Sequence, residues 1–174
     1  MPKKTLKKAV VLLSGGLDSA TTLYYAKKKG YRVFCLVFDY HQRHRREISA
    51  ALKIARKAQA KALLVKIALP WKGSALLDKK KQLPQSKAEA IPRRIPSTYV
   101  PARNTIFLSF ALSYAEAIGA RAIFIGANAL DFSGYPDCRP RYYKAFNRLS
   151  RLATKAGVEG RRIAICTPLL CKTK

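Results

Sequence analysis

Short apolar runs alternate with amphipathic stretches along most of the chain. The run Ala9-Val10-Val11-Leu12-Leu13 is too short for a helix and suits a central parallel strand covered on both faces. Ser14-Gly15-Gly16 then predicts a turn, with a helix opening at Asp18 or Ser19 and running to residue 29. Ala20, Leu23, Tyr24 and Ala26 supply its apolar stripe and Gly30 ends it. A nearly continuous apolar run predicts a second strand over 32–38, followed by a helix over 47–60 and a third strand over 62–68.

From 69 the pattern breaks. Pro70, Gly73, Pro84, Pro92 and Pro96 describe an irregular insertion at about 70–98, a length expected of a lid or of a segment poorly ordered without ligand. Periodicity returns with a helix from Arg103 and Asn104 through Glu116, a strand over 122–126, a polar loop over 127–139 and a helix over 140–156. Tyr142, Ala145, Phe146 and Leu149 share one face of that helix, and 163–165 reads as a last short strand. Alternating strands and helices predict an α/β fold, a Rossmann-like, doubly wound parallel sheet flanked by helices and built from right-handed βαβ units.

Composition narrows this to one domain over 1–174, with 49% hydrophobic residues. Lys3, Lys4, Lys7 and Lys8 before an apolar run imitate a leader. That run is too short, however, and enters the glycine turn directly, so a cytoplasmic protein without a membrane span is expected. Charge is the outlying feature: 35 Lys and Arg against 9 Asp and Glu give a net +26. Such an excess predicts non-specific nucleic-acid binding at low salt, although the basic residues are scattered and form no single arm. Cys35, Cys138, Cys166 and Cys171 include no Cys-x-x-Cys pair and do not suggest a disulfide framework.

Three polar loops follow predicted strands, at 14–19, 39–44 and 128–139, where open α/β sheets place their ligands. A chain with 9 acidic residues puts Asp18, Asp39, Asp131 and Asp137 in these loops. In the first, Leu12, Leu13, Ser14, Gly15, Gly16, Leu17, Asp18 and Ser19 form a strand-turn-helix that aims backbone amides at an anion. Asp18 is either an N-cap or a Mg²⁺ ligand. The turn is neither a Walker A loop, which needs Gly-Lys-Ser/Thr, nor a dinucleotide fingerprint, which needs a third glycine. Asp39, His41 and His44 read as a polar loop more readily than as a zinc site, with Arg43 and His44 placed to meet phosphate or substrate. Arg103 offers a planar donor fork beside Asn104. Asn128, Asp131, Phe132, Ser133, Tyr135, Asp137 and Arg139 combine carboxylates and aromatic rings suited to recognising a heterocycle.

Ser14-Gly15-Gly16-Leu17-Asp18-Ser19 resembles the signature of the PP-loop ATP pyrophosphatases, which split ATP between the α- and β-phosphates. Together with Phe38-Asp39-Tyr40-His41-Gln42-Arg43-His44, Val100-Pro101-Ala102-Arg103-Asn104 and the stretch from Gly126 to Pro140, it makes nearly the whole chain similar to the 7-cyano-7-deazaguanine (preQ0) synthase family. The resemblance implies an adenine nucleotide alpha hydrolase-like fold. It further implies ATP-dependent conversion of 7-carboxy-7-deazaguanine and ammonia to preQ0, in queuosine or archaeosine biosynthesis, through an adenylated carboxylate. Residues 12–19, with Asp39, Arg43 and His44, would bind ATP, and Asp18 would hold Mg²⁺. Asp18, Arg103 and Asp131 would be catalytic, and Asn104, Asn128, Phe132, Ser133, Tyr135, Asp137 and Arg139 would bind substrate. A homodimer is left open.

Relatives carry a zinc-binding cysteine cluster beyond the equivalent of 167–174, and the expectation for this chain is that this module and its zinc ligands are absent. Two further departures are His41, where many relatives have Gly, and Arg141, where an acidic residue is common. A tRNA-modifying PP-loop ATPase and a non-catalytic nucleotide-binding relative are the alternative readings.

Overall fold

The computed structural model describes residues 6–41, 46–70, 99–128 and 135–172. Five strands, β1 (Lys8–Leu12), β2 (Arg32–Asp39), β3 (Lys61–Lys66), β4 (Ala122–Phe124) and β5 (Ala164–Cys166), form one parallel sheet in the order β3-β2-β1-β4-β5. Its helices are α1 (Leu17–Lys28), α2 (Arg46–Lys57), α3 (Arg103–Ala117), α4 (Pro140–Ala153) and a single turn, α5 (Lys155–Val158). This is the Rossmann-like architecture expected from the alternation of patterns. Most of the irregular stretch at about 70–98 lies outside the described residues.

Strand side chains alternate between two faces, and each face has its own core. Ala9, Val11 and Cys35 point to the side of Leu23 and Ala26 on α1 and Ala51 and Ala55 on α2. Val10, Leu12 and Leu36 point to the side of Leu108 and Leu112 on α3 and Phe146 on α4. β1 is fully sandwiched, which explains why its sequence is apolar without alternation. β3 is an edge strand, with Leu63 44% and Leu64 36% exposed.

The order of strand addition reverses between β1 and β4, which are parallel, hydrogen-bonded neighbours with Val10 level with Ile123. The loops leaving these strands must diverge to opposite faces, opening a crevice at their carboxyl ends. The expected helix over 140–156 breaks at Thr154, where φ −122° and ψ 145° leave the helical region. Thr154 Oγ1 donates to the Ser150 carbonyl at 2.7 Å and accepts from Gly157 N at 2.9 Å, so one hydroxyl ends α4 and caps α5. The remaining elements lie within three residues of their expected limits, the largest difference being α2, which ends at Lys57 and not at 60.

Candidate active site at the switch point

Gly15 turns the chain out of β1 at φ +92°, with its Cα against α2: a Cβ there would lie 2.4 Å from the Glu47 carbonyl oxygen. Only glycine fits on both counts. Gly16 is the N-cap of α1 and contributes no capping side chain. The first-turn amides are therefore left for a ligand at the positive end of the helix. Ser14 Oγ donates to Ser19 Oγ at 3.1 Å, and Ser19 Oγ donates to the Gly16 carbonyl at 2.9 Å, which locks the turn from inside.

The crevice is a cavity of about 420 Å³. Ser14, Gly16, Leu17, Asp18 and Ser19 form one wall, and Ile125, Gly126 and Ala127 leave β4 along another. The two walls touch. A Cβ on Gly126 would stand 2.9 Å from the Asp18 carbonyl carbon and oxygen and from Ser19 N. One residue beyond Ala127, Asn128 Nδ2 donates to Asp18 Oδ2 at 2.9 Å and fixes the carboxylate.

Opposite lies an aromatic wall. Phe38 and Phe107 stack at 4.1 Å between centroids and 5° between planes, and Tyr40 lies 5.3 Å from Phe107. Arg103 Nη1 donates to the Tyr40 hydroxyl at 3.1 Å, and the guanidinium sits 5.9 Å and 6.0 Å from the Tyr40 and Phe107 ring centroids. Burial works against the Arg103 charge. Tyr40, Asp137 and Cys138 outweigh it, so the pKa is raised above its ordinary value.

α3 begins here after Ala102, whose φ of +51° and lack of a capping side chain leave the helix start unsupported from its own sequence. Asp137 replaces the cap from a 3-10 turn (Pro136–Cys138): its Oδ2 accepts from Asn104 N at 3.0 Å. Asn104 Nδ2 in turn donates to the Asp137 carbonyl at 3.3 Å and to Cys138 Sγ at 3.1 Å. This buried knot sets the position of Arg103.

The expected site residues divide accordingly. Leu12, Leu13, Ser14, Gly16, Leu17, Asp18, Ser19, Arg103, Asn104 and Tyr135 line the cavity. Asn128 and Asp137 stand just behind it as supports, and Gly15 shapes the turn. Asp39 does not line it; its Oδ1 accepts from His41 N at 3.1 Å. Arg139 is exposed at the start of α4, where its carbonyl accepts from Tyr142 N at 3.0 Å. Arg43, His44, Asp131, Phe132 and Ser133 lie outside the described residues.

Among lining residues that sequence reasoning missed, Phe107 follows Arg103 by four positions, a helical spacing that puts ring under guanidinium. Glu47 and Ile48, at the start of α2, carried no signal of their own. Among the described lining residues Asp18 and Glu47 are the carboxylates, a hard oxygen donor set of the kind Mg²⁺ takes when it also binds phosphate. Among the described residues no group of three or more His, Cys, Asp or Glu could hold a metal, and Cys166 and Cys171 are free thiols. No described helix is long and apolar enough to cross a membrane.

Residues 8–174 match the family model described as queuosine biosynthesis protein QueC. The chain belongs to this family. It is 56% identical over 166 residues to a 7-cyano-7-deazaguanine synthase of Nostoc punctiforme, covering 94% of this chain and 74% of that protein. A synthase of the same name from Thermosynechococcus vestitus is 56% identical over 170 residues, covering 95% and 72%. Among solved structures, a predicted subunit of tRNA methyltransferase from Methanocaldococcus jannaschii superposes with a TM-score of 0.59 at 16% identity, covering 97% of this chain and 70% of that one. NMN synthetase from Francisella tularensis gives 0.55 at 17%, covering 97% and 58%. At such identities the likeness is one of fold alone.

Proposed function

We infer that this chain is an ATP-dependent ligase that makes 7-cyano-7-deazaguanine (preQ0) from 7-carboxy-7-deazaguanine in queuosine biosynthesis. The observation that carries this reading is the 56% identity to a synthase of that name across 94% of the chain. The cavity chemistry supports it, since it joins an anion-binding helix start to an aromatic wall and a buried cation.

The reading divides the cavity by chemistry. Amides at 16–19 hold the ATP phosphates at the positive end of α1. The aromatic wall of Phe38, Tyr40 and Phe107 accepts a planar heterocycle. Arg103, held by Tyr40, meets the negative charge that develops on the α-phosphate as the substrate carboxylate attacks it. Pyrophosphate leaves and an acyl adenylate forms. Ammonia then displaces AMP to give the amide. The amide oxygen attacks the α-phosphate of a second ATP, releasing pyrophosphate, and loss of the two N–H protons to solvent expels that oxygen with AMP, leaving the nitrile. Asp18, fixed by Asn128, is the residue that would hold Mg²⁺, whose charge offsets that of the phosphates when bound. ATP as a co-substrate suits a cytoplasmic enzyme.

Incubation with 7-carboxy-7-deazaguanine, ATP, Mg²⁺ and ammonium should yield preQ0 and pyrophosphate. Asp18→Ala should abolish turnover while the far-ultraviolet circular dichroism is unchanged. ATP cleavage that requires tRNA instead of the deazapurine would refute the reading, as would unaltered turnover in Asp18→Ala.

A further inference from the structure

Every strand of a parallel sheet starts at the same edge, so residues that precede strands are gathered there whatever their separation in sequence. In this chain those residues are basic. Lys8 and Arg32 open β1 and β2 and are level in the ladder. Arg121 precedes β4 and donates its amide to the Lys8 carbonyl at 2.9 Å, continuing the row. Lys61 opens β3, and Arg161 and Arg162 precede β5. The helices run back to the same edge and end there in Lys27, Lys28 and Lys29 for α1 and in Arg56 and Lys57 for α2.

Favourable interaction with the helix macrodipole explains basic residues in the last turns of α1 and α2. It also accounts for Lys8, whose Nζ donates at 2.8 Å to the Ile118 carbonyl that ends α3, but not for Arg32, Arg121 and Arg162 in the row at the strand starts. A second cavity, of about 330 Å³, opens in this edge and is lined by Arg121, Lys155, Arg161 and Arg162. The described acidic residues there are already engaged. Glu116 Oε1 accepts from Ala156 N at 2.8 Å, and Glu159 pairs with Arg161 and, at 3.7 Å, with Lys155. Asp18, Asp39, Glu47 and Asp137 all stand toward the opposite, nucleotide-binding edge.

Exposed aromatic rings are mixed into the cations. Tyr24 is 50% and Tyr25 40% exposed near the end of α1, and Lys29 Nζ lies 5.5 Å from the Tyr25 ring centroid. A basic surface with stackable rings fits a single-stranded nucleic acid, whose phosphates and bases meet both features. An acidic peptide would use the charges alone. We propose that the amino-terminal edge of the sheet is a docking surface for single-stranded RNA, separate from the ATP cavity across the molecule.

The test uses the full chain and a fluorescent 20-nucleotide single-stranded RNA of mixed sequence, titrated across a range of salt. Lys28→Gln, Lys29→Gln, Arg121→Gln and Arg162→Gln together remove four cations that make no described hydrogen bond through their side chains. A control with Lys53→Gln, Lys66→Gln, Arg141→Gln and Lys144→Gln makes the same change in net charge elsewhere on the surface. The edge variant should bind at least tenfold more weakly, with its salt slope lowered by about 3, since each neutralised phosphate contributes about 0.7 on a single strand. Tyr24→Ala with Tyr25→Ala should weaken binding further without changing that slope. The control should lose less than threefold, and polyglutamate of equal charge should bind more weakly than the RNA. Single-stranded DNA of the same sequence separates a general backbone site, which it would match, from one that also reads the 2′-hydroxyl. Equal losses in the edge and control variants, with thermal melting confirming that both are folded, would overturn the proposal. Equal or tighter binding of polyglutamate, or no RNA binding at low salt, would also overturn it.

Discussion

Gly126→Ala tests whether the touching walls of the cavity matter for chemistry. The added methyl would sit 2.9 Å from the Asp18 carbonyl carbon and oxygen and from Ser19 N, all backbone atoms that no rotamer change can move. Ordinary contact needs about half an ångström more, so the end of β4 and the start of α1 must separate by that amount. Overpacking of this kind costs about 1–3 kcal/mol of stability. The same shift moves the α1 amides and Asp18 away from Asn128 and from the opposite wall. Since a misplacement of about 1 Å can cost about a hundredfold in rate, half of that should lower kcat by about tenfold, or about 1.4 kcal/mol. Gly30→Ala provides the control. Gly30 has φ +79°, and a methyl group there would meet nothing within 4 Å, so alanine should cost about 1–2 kcal/mol of stability from backbone strain alone. The assay is steady-state preQ0 formation at saturating ATP, beside urea unfolding of both variants. Gly126→Ala turning over within twofold of the parent would refute the reasoning. So would Gly30→Ala losing as much turnover as Gly126→Ala at equal stability.

Three further outcomes are expected. His41 has φ +61°, a left-handed conformation that a side chain occupies at a cost of about 1–2 kcal/mol. His41→Gly should therefore stabilise the fold by about 0.5–1 kcal/mol in urea unfolding, after allowance for the greater freedom of unfolded glycine; a loss of stability would count against it. Thr22 is fully buried and its hydroxyl has no hydrogen-bond partner among the described residues. Thr22→Val should gain about 1 kcal/mol, read as a rise of about 2–4 °C in Tm, and Thr22→Ser should not. Burial pushes the Cys35 thiol up to about 12 from 9.0, against a smaller opposing effect of Lys27. The native state thus keeps a proton that the unfolded chain loses above pH 9. The contribution to stability is complete below pH 9 and fades as pH rises toward 12, so Cys35→Val should flatten the alkaline fall in Tm.

Much of the fold was legible because periodicity and burial coincide. β1 is apolar at every position from Ala9 because both of its faces are covered, and Gly30 ends its helix at φ +79°. The break at Thr154 was not legible, because Thr is an ordinary residue within a helix and acts as a cap only through its contact with Gly157. At the site, Ser14–Ser19 announced itself through its glycines and its place after a strand. The aromatic wall did not. Phe38 read as the end of a strand, Tyr40 as part of a polar loop and Phe107 as one helix position among others, and only the packing of α3 against the sheet aligns them. His41 shows the converse. A substitution that stood out in sequence acquired a physical meaning once its backbone angle was known.

The charge pattern depends even more on topology. Along the sequence the basic residues look scattered, since Lys8, Arg32, Arg121 and Arg162 are separated by entire elements. A parallel sheet with helical returns brings every strand start to one edge and every strand end to the other, so two unrelated requirements can be met at opposite poles. At the carboxyl pole, Asp18 and Glu47 can face a cavity for anionic substrates because helix amides and Arg103 supply local positive potential. At the amino pole no carboxylate is left unengaged among the described residues that line the second cavity. The net +26 is therefore a polarity built by connectivity as well as a total, and the total alone would not distinguish attraction of a nucleotide at one end from docking of a polyanion at the other.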